Sequence, residues 1–248
     1  MFAIYKKELR SYFINPIGFV YVGIFLALAA LLCCLSTVVA GTYDTSAYFL
    51  YMMIALIILI PILTMRLFAE ERKLRTEQLL LTAPVTLTGM VLGKFFAAFT
   101  LYASTLLVSC LNFIPLYVIA DTERGSQDYV VKHIGPVTSE LVGCLVSLLL
   151  IGAAFIAIGT FISALTENQL AAAIITIAVI GAMVGIGFLT SFINVVWIRT
   201  ALSWISVYSR FGNFQNGLFD FAAILYYVSL AFVFLFLTIR VYEKRRWG

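Results

Sequence analysis

The chain carries apolar runs too long for the core of a soluble fold and too continuous for a β-barrel. A helical crossing of a bilayer needs about 20 mainly apolar residues, whereas barrel strands alternate apolar and polar residues in stretches of about ten. Runs at about 17–39, 47–67, 90–120, 137–165, 169–195 and 222–242 fit the first pattern. They raise the hydrophobic share to 63% and leave 11% charged, against about 45–50% and 25% in soluble domains. Lipid must take the excess. The sequence specifies an all-α membrane protein with six transmembrane helices in one domain, 1–248.

Basic residues orient such a chain. If the N-terminus is cytoplasmic, 12 of the 16 Lys and Arg fall on the inner side, and the acidic residues divide evenly. Both termini are then cytoplasmic. The apolar region near the start is too long for a signal peptide, so it reads as a span. The first fifteen residues form an amphipathic pattern, with Phe2, Tyr5, Leu9, Tyr12 and Phe13 at helical spacing and Lys6, Lys7, Glu8 and Arg10 between them. That describes an N-terminal amphipathic interface helix on an anionic leaflet. Asn15-Pro16 ends it, because the residue before proline avoids the helical region.

No charged residue lies at the centre of a span, and Lys94 is expected to snorkel from the third span to the inner interface. Ion-coupled carriers and intramembrane proteases place costly ionisable groups at that depth, so both classes are disfavoured. Neither His-Glu-x-x-His nor Gly-x-Ser-x-Gly occurs. Gly89-Met-Val-Leu-Gly93-Lys94 falls short of a phosphate loop by one residue and by the missing Ser or Thr. Cys33, Cys34, Cys110 and Cys144 all sit in apolar runs without Cys-x-x-Cys spacing and read as small hydrophobes. His133, in the outer loop 121–135, reads as a surface residue.

The longest charged stretch lies between spans two and three. Residues 69–84 read as a helix leaving the membrane, mixing Glu70, Glu71, Arg72, Lys73, Arg75 and Glu77 with Leu74, Leu79, Leu80 and Leu81. A solvated helix with intrahelical ion pairs would explain the charges. Three successive leucines need a cover, from a partner's groove or from the protein's own span ends.

This stretch, Phe68-Ala-Glu-Glu-Arg-Lys-Leu-Arg-Thr-Glu-Gln-Leu-Leu-Leu-Thr-Ala-Pro-Val85 with Val91-Leu-Gly-Lys94, resembles the permease subunits of ABC-2-type transporters, and most of all their gliding-motility-associated branch. Ile4–Phe13, Gly152–Ser163 with Thr166 and Asn168-Gln169, and Phe234–Trp247 are similar too. One departure stands out: the family pattern puts a small residue near Leu74-Arg75.

The resemblance implies a non-catalytic subunit of a bacterial plasma-membrane exporter. It implies no cofactor in this chain, since ATP and Mg would be bound by the partner ATPase. The partners would be cytoplasmic ABC ATPase subunits, a second permease subunit in a homo- or heterodimer, and the lipid bilayer, with no nucleic acid. It also implies a cytoplasmic coupling helix between spans two and three, with Glu70, Glu71, Arg72, Arg75, Thr76, Glu77, Leu79 and Leu80 against the ATPase. Thr166, Glu167 and Asn168 would be either a second contact or a plain polar turn. Gly181 and Gly185, like Gly152 and Gly159, suit close helix packing within the chain or across a dimer seam. Trp197, Trp204, Tyr208, Phe211 and Phe214 suit a re-entrant aromatic segment before span six or an aromatic belt. Two other readings remain: mechanical transmission to an extracytoplasmic partner, and a lipid-modifying membrane enzyme. For the enzyme, only Asp121–Lys132 offers candidate side chains, without metal-ligand spacing.

Overall fold

The computed structural model describes residues 1–14, 16–41, 43–77, 86–126, 136–190 and 196–247, of which the side chains of 121–126, 196, 198, 201, 205 and 247 are left aside. Among these it is helical, with no strand. The helices are α1 (Phe2–Ile14), α2 (Pro16–Cys33), α3 (Ser46–Thr64), α4 (Ala69–Lys73), α5 (Leu87–Ser109), α6 (Ile114–Ser126), α7 (Thr138–Leu165), α8 (Gln169–Leu189), α9 (Val196–Ile205), α10 (Val207–Gln215) and α11 (Phe221–Trp247). Six stretches are long and apolar enough to cross a membrane.

The centre of the bundle is α7, packed against α3, α5, α8, α10 and α11. Its glycines explain how. A Cβ at Gly152 would lie 2.1 Å from the Tyr102 ring, and one at Gly159 would lie 2.2 Å from the Thr64 hydroxyl. Only hydrogen at those positions lets α5 and α3 approach so closely. Gly181 meets only Ile57, at 3.7 Å, and Gly185 meets nothing within 4 Å. Gly187 is the crowded one, its Cβ position 2.5 Å from both Ser206 and Tyr208.

Several expectations are refined. The third span, one candidate crossing over Leu87–Ala120, contains a 3₁₀ turn: α5 passes through Cys110–Phe113 into α6, which runs on to Ser126. Pro115, lacking an N–H, sits in the first turn of α6, where no intrahelical donor is needed. On α1 the buried residues are Ile4 and Tyr12, whereas Phe2 and Phe13 are exposed. The buried side of α1 faces α5, which leaves Phe2 and Phe13 on its outer side.

The expected helix 69–84 breaks after one turn. Leu74 ends α4, and the N–H groups of Arg75 and Thr76 return to the carbonyls of Arg72 (3.1 Å) and Glu71 (2.9 Å). This is a helix-ending motif that wants a left-handed residue, usually glycine. Arg75 takes that role with φ 56°. The family pattern's small residue and this backbone conformation answer the same steric demand. Leu79, Leu80 and Leu81 lie outside the described residues, as does His133.

At the end of the bundle away from α1, α9 and α10 meet at Ser206, whose hydroxyl accepts from the Ser209 N–H at 3.1 Å and starts α10. Phe211 and Phe214 are fully buried, Tyr208 stacks on Phe188 at 4.5 Å, and Trp197 and Trp204 are exposed. The Gln215 side chain donates to the Ser46 carbonyl at 3.1 Å, tying α10 to the start of α3.

Candidate functional site

The site is the elbow after α3, at the end of the bundle where α1, α4, the start of α5 and the end of α11 meet. A helix start leaves backbone N–H groups without partners, and Phe68, preceding α4, offers no side-chain cap. Ser163 of α7 supplies it. Its buried hydroxyl oxygen accepts from the N–H groups of Phe68 and Ala69, both at 3.1 Å, and donates to the Met65 carbonyl at 3.3 Å. The elbow is thus fastened to the central helix one turn beyond Gly159 and Thr64.

Most of the elbow's charges are taken up within the chain. Glu70 receives two hydrogen bonds from Arg66, at 2.7 and 2.8 Å. Glu71 lies 2.8 Å from the Lys94 ammonium, which also reaches Glu8 of α1 at 3.1 Å and the Leu67 carbonyl at 2.6 Å. The same ammonium stands 5.0 Å from the centre of the Phe68 ring. Arg72 donates to the Leu165 carbonyl at 3.0 Å and pairs with Glu167 at 2.7 Å. Glu77 pairs with Arg245 at 2.9 Å, and Arg245 also donates to the Ala164 carbonyl at 2.7 Å.

Lys94 therefore does not snorkel. Its side chain is 1% exposed, with two carboxylates and a carbonyl as partners for its three ammonium protons. Removing one partner of such a buried set costs about 3–5 kcal/mol, since an unpaired charge is left behind. Arg72–Glu167 is different. Glu167 is 70% exposed, and pairs of that kind contribute about 0–1 kcal/mol.

The structure thus joins Glu70, Glu71, Arg72, Glu77 and Glu167 to other parts of the same chain. The Thr166 hydroxyl bonds to Ile162, and Asn168 caps α8 by accepting from the Leu170 N–H at 3.0 Å. What the elbow leaves outward is its tip: Lys73, Leu74 (64% exposed), Arg75 and Thr76. On α1, Lys6, Lys7 and Arg10 are exposed, while Glu8 turns inward to Lys94.

Reading the sequence alone missed Ser163, Glu8, Arg66 and Arg245 as parts of this junction. Lys94 gave a signal, being a lysine in the first turns of a span. Glu8 gave half of one, as the acid in a basic helix. Arg245, 168 residues from Glu77 in the chain, gave none. Among the described residues no group of three or more His, Cys, Asp or Glu is placed to hold a metal.

Six apolar helices, a charged junction at one end and a broken aromatic segment at the other define a multi-pass membrane protein. A family model for ABC-2 family transporter proteins matches residues 36–242, and the chain belongs to that family. It is a permease subunit of an ABC transporter, a class that is typically non-catalytic and associates with ABC ATPases. No curated protein matches the chain.

Proposed function

We propose that the elbow tip receives the stroke of a separate ABC ATPase and that the elbow passes it to the spans. In this reading the end carrying α1 is cytoplasmic in a plasma membrane, ATP and Mg²⁺ sit on the ATPase subunits, and a second permease subunit completes an exporter. The basic-residue bias supports the orientation. The wording of Phe68–Val85 supports membership of the gliding-motility-associated branch.

One observation carries the reading: the elbow's buried charges are consumed inside the chain, while an apolar residue flanked by two cations, Lys73-Leu74-Arg75, is held outward. A leucine held 64% exposed suits a partner's pocket. Ser163, Lys94 and Arg245 fasten the elbow to α7, α5 and α11, so a push at Leu74 would be transmitted to several spans and not absorbed by a flexible loop. Thr166–Asn168 would move with it through Arg72 and Glu167.

The test is a pull-down of the tagged protein in mild detergent, with ATP hydrolysis assayed on what co-purifies. Leu74→Glu, at a side chain 64% exposed, should lose the ATPase. Leu218→Glu, equally exposed at the opposite end, should keep it. If Leu74→Glu retains a fully active ATPase, the coupling reading fails.

A further inference from the structure

We propose that the outward face of α1 binds the headgroup of an anionic phospholipid, and that Lys7 links its occupancy to the hold on the elbow. Ala3, Lys6, Lys7, Arg10, Ser11 and Ile14, spaced three and four residues apart, share this outer face of α1. Its three cations set its chemistry. Lys6 and Arg10 have no acidic partner among the described residues. A phosphate diester beside them would meet uncompensated positive charge.

The membrane source of that phosphate follows from the neighbouring side chains. Phe2 and Phe13 are exposed on the edge of α1 next to Lys6. The Phe13 ring packs edge-on, 5.8 Å between centroids, against Phe19, which is 60% exposed near the start of the first span. These rings mark where acyl chains begin. Lys6 and Arg10 lie one step round the helix, where headgroups follow. Apolar residues beside basic ones on one helix are the pattern of interfacial binding.

Lys7 has a second role. Its ammonium stands 4.0 Å from both Glu8 and Glu71, at the outer side of the cluster centred on Lys94, and its side chain is 65% exposed. A headgroup phosphate on this face competes with these two carboxylates for Lys7. Lys94 then holds them alone, and the elbow loosens slightly, by about fivefold in exchange at most. This rests on the membrane reading of the chain and does not depend on an ATPase.

The measurement is amide hydrogen exchange on the full chain in nanodiscs of phosphatidylcholine, with and without phosphatidylglycerol. Each basic residue near an anionic surface adds about 5-fold to binding. Phosphatidylglycerol should therefore slow exchange over 2–14 by about tenfold or more, and speed it over 66–76. Inorganic phosphate added to phosphatidylcholine discs should do neither, which separates the lipid from the free ion. Lys6→Gln with Arg10→Gln should erase the slowing. Lys7→Gln should leave part of the slowing in 2–14 but remove the response of 66–76. In the wild type, about 1 M salt should also weaken the effect, because it screens exposed charges within about 3 Å. Equal exchange in both lipids, or slowing that survives the double substitution, overturns the proposal. If the double substitution instead releases a co-purifying ATPase while the lipid response persists, this face belongs to that protein.

Discussion

The two ends of the bundle are built on different physics. At the α1 end, the chain turns sharply after α3 and holds the turn with ion pairs and hydrogen bonds drawn from α1, α5, α7 and α11. At the other end, the break between α9 and α10 is held mainly by packed rings, with Val207, Phe211 and Phe214 fully buried, and by hydrogen bonds from Gln215 to the Ser46 carbonyl and from Tyr227 to the Val207 carbonyl beside the Ser206 cap. Directional bonds to a buried lysine have discrete alternatives, since each partner can let go by itself. Packed rings lose contact gradually and everywhere at once. A junction that passes on movement is better built from the first kind.

The largest expected effects sharpen this contrast. Lys94→Met leaves Glu8 and Glu71 facing each other with only the exposed Lys7 at 4.0 Å and should cost about 3 kcal/mol. That corresponds to an unfolding midpoint in detergent lower by roughly 6–12 °C. Adding Glu8→Gln and Glu71→Gln should recover most of that loss, since no charge remains buried unpaired. Phe211→Ala should cost about 3 kcal/mol through lost packing, with no recovery from any charge substitution and with ATPase association intact. Equal ATPase association in Lys94→Met and Phe211→Ala would break the distinction between the two ends.

A smaller effect is expected at Ser163. Replacing it with alanine strips the acceptor from two N–H groups at the start of α4 and should cost about 1–3 kcal/mol. Hydrogen exchange should then rise over 66–74 while residues 207–215 stay unchanged. Arg75→Gly should have the smallest effect and the opposite sign. A left-handed backbone costs a non-glycine residue about 1 kcal/mol, offset in part by the entropy glycine adds to the unfolded chain. The midpoint should rise slightly or hold. A fall of several degrees would mean that the Arg75 side chain, and not its backbone, matters at the tip.

Much of this molecule was legible in one dimension. Apolar runs of bilayer length gave six crossings whose helical starts fall within about three residues of those expected, because continuous hydrophobicity needs no tertiary information. The charged stretch after the second span marked the site for the same local reason. Its internal geometry was not legible. A helix drawn from Ala69 to Pro84 is consistent with the composition, yet Arg75 adopts a left-handed conformation that only the closing hydrogen bonds from Arg75 and Thr76 disclose. Glu70, Glu71 and Glu77 carry suitable charge, but each pairs with a basic residue of the same chain: Arg66, Lys94 and Arg245.

Sequence by itself determined that this chain crosses a membrane, how many times, and where its charges collect, since those depend on residues adjacent in the chain. Tertiary structure decided which charges remain available. Glu8 meets Lys94 across 86 residues, Ser163 meets Phe68 across 95, and Arg245 meets Glu77 across 168. No local pattern encodes those pairings, because each forms only after the spans have packed side by side and brought distant carboxylates, amides and ammonium groups within hydrogen-bond reach.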